Sequence, residues 1–99
     1  MYVTVSHDIS DSNKFWAVAE RELPNLSPNL KLHLCTPITD GKTCFCLWEV
    51  DSVEALRNWM EPLLGKVSRN DYHVVDAEKA IGLPGGATLS QTTASGTSK

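Results

Sequence analysis

Between Lys31 and Val50 the chain sorts its residues with period two, and that alternation commits it to a fold built on a sheet. Leu30, Leu32, Leu34, Phe45 and Leu47 form one set, which is wholly apolar. Lys31, His33, Cys35, Cys44, Cys46 and Trp48 form the other, rich in thiols and polarisable rings. Asp40-Gly41 stands between the two runs, where a hairpin turns. The spacing therefore predicts two paired strands, Leu30 to Thr36 and Thr43 to Val50.

The flanking segments complete a motif. Tyr2 to Ser6 alternates and is β-prone, which predicts a first strand; Asp8 to Ser12 reads as a turn rich in capping residues. Phe15, Trp16, Ala19 and Leu23 recur at helical spacing until Pro24 and the Ser27-Pro28-Asn29 loop end the run. Asp51 and Glu54 have the form of a capping box, and Val53, Leu56, Met60, Leu63 and Leu64 make the apolar stripe of a second helix. Pro62 predicts that this helix bends or stops near Met60, with Gly65 closing it. Tyr72 to Ala77 reads as a last strand, and Glu78 to Leu83 as one further turn. The order β-α-β-β-α-β predicts an α+β, ferredoxin-like domain: a four-stranded antiparallel sheet in order 4-1-3-2, with both helices on one face.

Ninety-nine residues make one domain. The stretch from Gly85 to Lys99 has one Leu and no aromatic residue, too little apolar surface to offset its ordering entropy. It is expected to be a flexible tail, which leaves residues 1–84 as the folding unit. A net charge of −3 and the lack of a Lys/Arg cluster argue against a nucleic-acid partner. No apolar run approaches the roughly 18 residues of a membrane span. The first residues, MYVTVSHD, lack the basic segment and apolar stretch of a secretory signal. Together with an odd count of three cysteines, this predicts reduced thiols in a cytoplasmic protein.

Two helices on one face need apolar partners, and Leu32, Leu34, Phe45 and Leu47 are the expected ones. Trp48, Cys35, Cys44, Cys46 and Val50 would then face away from the helices as an uncovered apolar patch. A second copy packing sheet against sheet is the simplest cover, which predicts a homodimer. The space between its sheets would be a pocket for a small molecule or metal ion, lined by Thr4, His33, Cys35, Cys46 and Trp48.

Asp40-Gly41-Lys42, the strand Cys46-Leu47-Trp48-Glu49-Val50, then Glu54-Ala55-Leu56, Asn58-Trp59-Met60 and Tyr72-His73-Val74-Val75 follow one another in a familiar order. In this the chain resembles the dimeric α+β barrel superfamily, especially its small ferredoxin-like domains of unknown function, some of them nickel-responsive. The likeness covers about half of the folding unit. It implies a homodimer with a small pocket, and the presence of small oxygenases in the superfamily keeps an enzyme among the readings.

Counting back from the turn pairs Cys35 with Cys46 and His33 with Trp48, about 4.5–5.5 Å apart at Cβ. His33, Cys35 and Cys46 are thus candidate ligands for nickel, zinc or copper. The plainer reading is that the cysteines are small hydrophobes, and side chains at i and i+2 on a strand diverge from one chelation centre. The same geometry allows a Cys35–Cys46 disulfide, which a reducing compartment opposes. His7 and Glu49 are expected at one edge with His33 and with His73 or Tyr72, whichever the parity of the last strand turns outward. His33, His73 and Tyr72 are therefore the candidate proton-transfer groups. Trp16 and Trp59 read as core. RNA-binding sheets stack bases on third-strand aromatics, where this chain has Cys44 and Cys46. Copper-chaperone-like domains need cysteines between the first strand and helix, where it has His7 to Ser12. Three readings stand: a ligand- or metal-binding homodimer without turnover, a cofactor-independent small oxygenase or isomerase using the same cavity, and a protein-interaction domain.

Overall fold

The computed structural model describes residues 1–84, so the expected tail lies outside the described residues. The elements are β1 (Tyr2–Ile9), α1 (Ser12–Glu22), a 3-10 turn (Leu23–Asn25), β2 (Leu30–Pro37), β3 (Thr43–Val50), α2 (Val53–Leu64) and β4 (Ser68–Val74). The four strands form one antiparallel sheet in the order β2-β3-β1-β4, the ferredoxin-like arrangement that the element order predicts.

Central strand β1 decides which face is covered. Val3, Val5, His7 and Ile9 are buried while Thr4 and Asp8 are exposed. Its register sets Val3 opposite Trp48, Val5 opposite Cys46 and His7 opposite Cys44. Directly opposed residues share a face, so Cys44, Cys46, Trp48 and Val50 lie beneath the helices and are buried. Phe45 points the other way and is 48% exposed. This inverts the expected facing of β3, while Leu32 on β2, opposite Trp48, packs against the core as expected. The physical reason is charge: Phe45 and Leu47 are in phase with Thr43 and Glu49, and burying them would carry a carboxylate under the helices.

β2 belongs to both faces because it carries a bulge. Its register shifts between Leu32 and Leu34, with Leu32 opposite Trp48 and Leu34 opposite Leu47. His33 is the extra residue, so it is not Trp48's partner. Past the bulge, Leu34 emerges on the open face, 55% exposed, and Cys35 turns inward opposite Cys46. The hairpin closes on Gly41 at φ +75°, with Asp40 Oδ1 accepting the backbone N–H groups of Lys42 at 2.8 Å and Thr43 at 2.9 Å.

The helices differ in how firmly they dock. α1, capped by Asp11 through the N–H of Lys14, buries Phe15 alone. α2 buries Leu56, Met60 and Leu64. Its cap is Ser52, whose Oγ accepts from the N–H of Ala55 at 3.0 Å, in place of the expected Asp51. The helix continues through Pro62 to Leu64; Pro62 is exposed in the last turn, where forfeiting one bond to the Asn58 carbonyl does not end it. β4 starts at Ser68, four residues before the expected Tyr72, and ends at Val74 before Ala77. Its inward positions Ser68 and Asn70 are polar, and both are hydrogen-bonded. A polar inward face carries no hydrophobic alternation to read.

Candidate metal centre

The bulge in β2 and the inward phase of β3 bring three thiols together under α1. Cys44 and Cys46 share the buried face of β3, and Cys35 reaches both from β2. The Sγ atoms of Cys35 and Cys44 are 3.5 Å apart, those of Cys44 and Cys46 3.9 Å, and all three lie within 4.8 Å of one another. Side chains two apart on a strand start about 6.8 Å apart, from the rise per residue. The Sγ atoms of Cys44 and Cys46 therefore converge, against the divergence expected of a Cys-x-Cys strand.

Three thiolates on one zinc ion stand about 3.8–4.0 Å apart, given a metal–sulfur distance of about 2.3 Å. The observed separations, from 3.5 Å to at most 4.8 Å, straddle that range, so the cluster is able to hold a metal ion with sulfur shifts of up to about 1 Å. Burial, followed by the neighbouring Cys35 thiol, pushes Cys44 up to about 12. Burial likewise pushes the Cys46 thiol well above the ordinary thiol range, with Cys35 and Cys44 adding to it. Both are thus neutral thiols at pH 7 in the metal-free chain, and a bound cation would displace their protons.

Beside the thiols lies a largely apolar cavity of about 40 Å³ between the two helices and the sheet, with Trp59, Met60 and Leu64 of α2 in its wall. Trp16, Ala19 and Leu23 roof it, and Leu32, Cys35, Cys46 and Trp48 form its floor. Trp48 is 2% exposed and packs against Trp59 with ring centroids 5.4 Å apart, yet its Nε1–H finds no acceptor among the described residues. His7 also lines the cavity. Its Nδ1–H donates to Asn70 Oδ1 at 2.6 Å, and Asn70 Nδ2 donates to Glu61 Oε2 at 3.0 Å. The Asn70 amide is thereby oriented with its oxygen towards His7, which places the imidazole proton on Nδ1. Tyr72 joins the same network, its hydroxyl donating to Glu61 Oε2 at 2.5 Å.

The other expected site residues are dispersed. His33 and Thr4 lie on the open face, opposite in direction to Cys35, Cys46 and Trp48, so the five do not line one pocket. His33 Nε2–H donates to Glu49 Oε1 at 2.8 Å and the ring tilts against Tyr2 at 5.9 Å. That hydrogen bond holds the Glu49 carboxyl below its ordinary range. His33 is thereby engaged away from the thiols, and Cys44 takes its place in the cluster. His73 is exposed on the open face opposite Thr4, and Tyr72 is turned inward. His33 on β2 and His73 on β4 stand three strand spacings apart, about 14 Å. His7 and Glu49 occupy opposite ends of the β1–β3 pair, since Glu49 faces Tyr2 and His7 faces Cys44. Trp16 and Trp59 pack against the core as expected, although both also border the cavity.

No helix among the described residues is long and apolar enough to cross a membrane. No family model matches the chain, and no curated protein or solved structure matches it.

Proposed function

We propose that this protein binds one thiophilic metal ion, of the class of zinc, nickel or copper, through Cys35, Cys44 and Cys46. The observation that carries the proposal is the spacing of the three Sγ atoms, all within 4.8 Å on two adjacent strands. A binding role without turnover is the favoured reading, because the open-face histidines His33 and His73 point away from the face that carries Cys46 and Trp48.

Metal analysis of reduced protein purified without a His tag tests the proposal. One equivalent of metal per chain is expected, lost in Cys44→Ser and Cys46→Ser variants that keep the fold by circular dichroism. Metal content that is negligible after exposure to zinc, nickel and copper(I), or unchanged in those variants, overturns it. Because bound thiols must lose protons, apparent affinity should rise by about tenfold per pH unit for each proton displaced near neutrality.

The homodimer is a second, separate proposal, favoured by the exposure of Leu34 (55%) and Phe45 (48%) beside Leu47 on the open face. Light scattering at micromolar concentration should give twice the chain mass, and Phe45→Glu should return a monomer. A monomeric wild-type protein defeats this proposal and leaves the metal site unaffected.

A further inference from the structure

We propose that His7 Nε2 is the fourth donor of the thiol site, making it a Cys₃His centre suited to a divalent ion of the zinc class; the proposal rests on the thiol reading above. His7 is 2% exposed and stands directly opposite Cys44 in the β1–β3 register, so their Cβ atoms are about 4.5–5.5 Å apart. It lines the same cavity as Cys35 and Cys46.

The tautomer is already the one a metal needs. Nδ1–H is spent on Asn70 Oδ1, and Asn70 is fixed by Glu61 and by the hydroxyl of Ser68, which donates to the same oxygen at 2.7 Å. Nε2 is left as a bare lone pair with no hydrogen-bond donor to it among the described residues. Metal-bound histidines carry this kind of partner on the far nitrogen, which sets ring orientation and raises ligand basicity. Valine or isoleucine would fill a buried β1 position without a polar network behind it, so an inward histidine held by Asn70, itself fixed by Glu61 and Ser68, points to use of its free nitrogen.

Charge favours the same assignment. Three thiolates around a monovalent ion leave a net −2 in an apolar site, whereas a divalent ion leaves −1, and a neutral imidazole completes a tetrahedron without adding to it. Nε2 lies outside the tight thiol cluster in the metal-free chain; with the ring held by Asn70, the site closes by movement of the thiols, and Cys35 and Cys46 border the same cavity as His7.

Cobalt(II) and zinc(II) titrations of reduced wild-type protein and of His7→Gln test the proposal, together with ¹⁵N-imidazole spectra of the wild-type protein. Wild type should show thiolate-to-cobalt charge transfer with tetrahedral d–d bands, and the His7 Nε2 resonance should shift on zinc binding. His7→Gln should keep the charge transfer, shift the d–d bands and weaken zinc binding by at least about tenfold. Charge transfer accompanied by an unmoved Nε2 resonance, or identical cobalt spectra in the two proteins, overturns the role of His7 alone. Absence of charge transfer in the wild type overturns the thiol site and this proposal with it. Should His7→Gln fail to fold, the wild-type Nε2 resonance decides.

Discussion

Asp40 shows how much of the hairpin a single side chain organises. Its Oδ1 takes two backbone N–H groups and its Oδ2 accepts the Thr43 hydroxyl at 2.8 Å. The N–H of Lys42 first, then the Thr43 hydroxyl, hold its carboxyl below the ordinary 3.8. A carboxylate with a depressed folded pKa stabilises the fold above its unfolded value, and that stabilisation is lost as the pH falls through the lowered value. Melting temperatures measured from about pH 7 down to about pH 2.5 should therefore fall at the acid end in wild type. Asp40→Asn retains an oxygen acceptor and should lack this component of the acid loss. Asp40→Ala should melt lower at every pH, and equal melting of Ala and wild type near neutrality would show the turn to be indifferent to the side chain. The thiols give a second test at this scale. Cys44 is wholly buried with its thiol near 12, while Cys35 is partly exposed. Iodoacetamide at pH 7.5, followed by mass mapping, should alkylate Cys35 first, and bound zinc should protect it.

At the level of elements, the two helices should separate in local stability. α1 docks through Phe15, whereas α2 buries three apolar side chains. Native-state hydrogen exchange should accordingly show α1 amides opening at lower free energy than those of α2. Phe15→Ala should cost about 3–5 kcal/mol, since no other α1 residue is buried to take over. Ser52→Ala should cost about 1 kcal/mol as the loss of a real cap. Asp51→Ala should stay within about 0.5 kcal/mol, and the reverse ranking would restore Asp51 as the cap. The order of elements was legible because Phe15-Trp16-Ala19-Leu23 and Val53-Leu56-Met60-Leu64 keep helical period and Asp40-Gly41 marks a turn. Facing was harder, because β3 has two apolar sets and the bulge at His33 leaves no mark in the alternation. Glu49 and Thr43, in phase with Phe45, together with Val3, Val5 and Ile9 on β1, were the readable signals that settle it. Cys44 was not grouped with Cys35 and Cys46 as a candidate ligand for the same reason, and His7, expected at one edge with Glu49, lies instead beneath the helices. The three-thiol cluster is visible only once β3 is turned inward. The early part of β4 was hidden because Ser68 and Asn70 meet hydrogen-bonding partners there and not a hydrophobic layer.

Taken as a whole, the molecule leaves a small cavity in its interior, and the proposed metal falls beside it. β4 is tied to β1 and α2 by the His7–Asn70–Glu61–Tyr72 network, while a 40 Å³ cavity remains between the helices and the β1–β3–β2 side of the sheet. A buried indole N–H without an acceptor there costs about 1–3 kcal/mol. An ion held by Cys35 and Cys46 would cross-link β2 to β3 next to that defect, and a His7 bond would extend the link to β1. Any ligand that binds the folded chain alone stabilises it by mass action, by about 2.7 kcal/mol at 100 times Kd. For a domain of this size that corresponds to a rise in melting temperature of about 11–22 °C. Differential scanning calorimetry of reduced protein with saturating zinc should show this rise, and a strong chelator should reverse it. Cys46→Ser should be insensitive to both, because its sulfur belongs to the cluster and its loss breaks the link between the strands. Equal melting of wild-type protein with and without zinc would mean that the three thiols serve the core as small apolar groups.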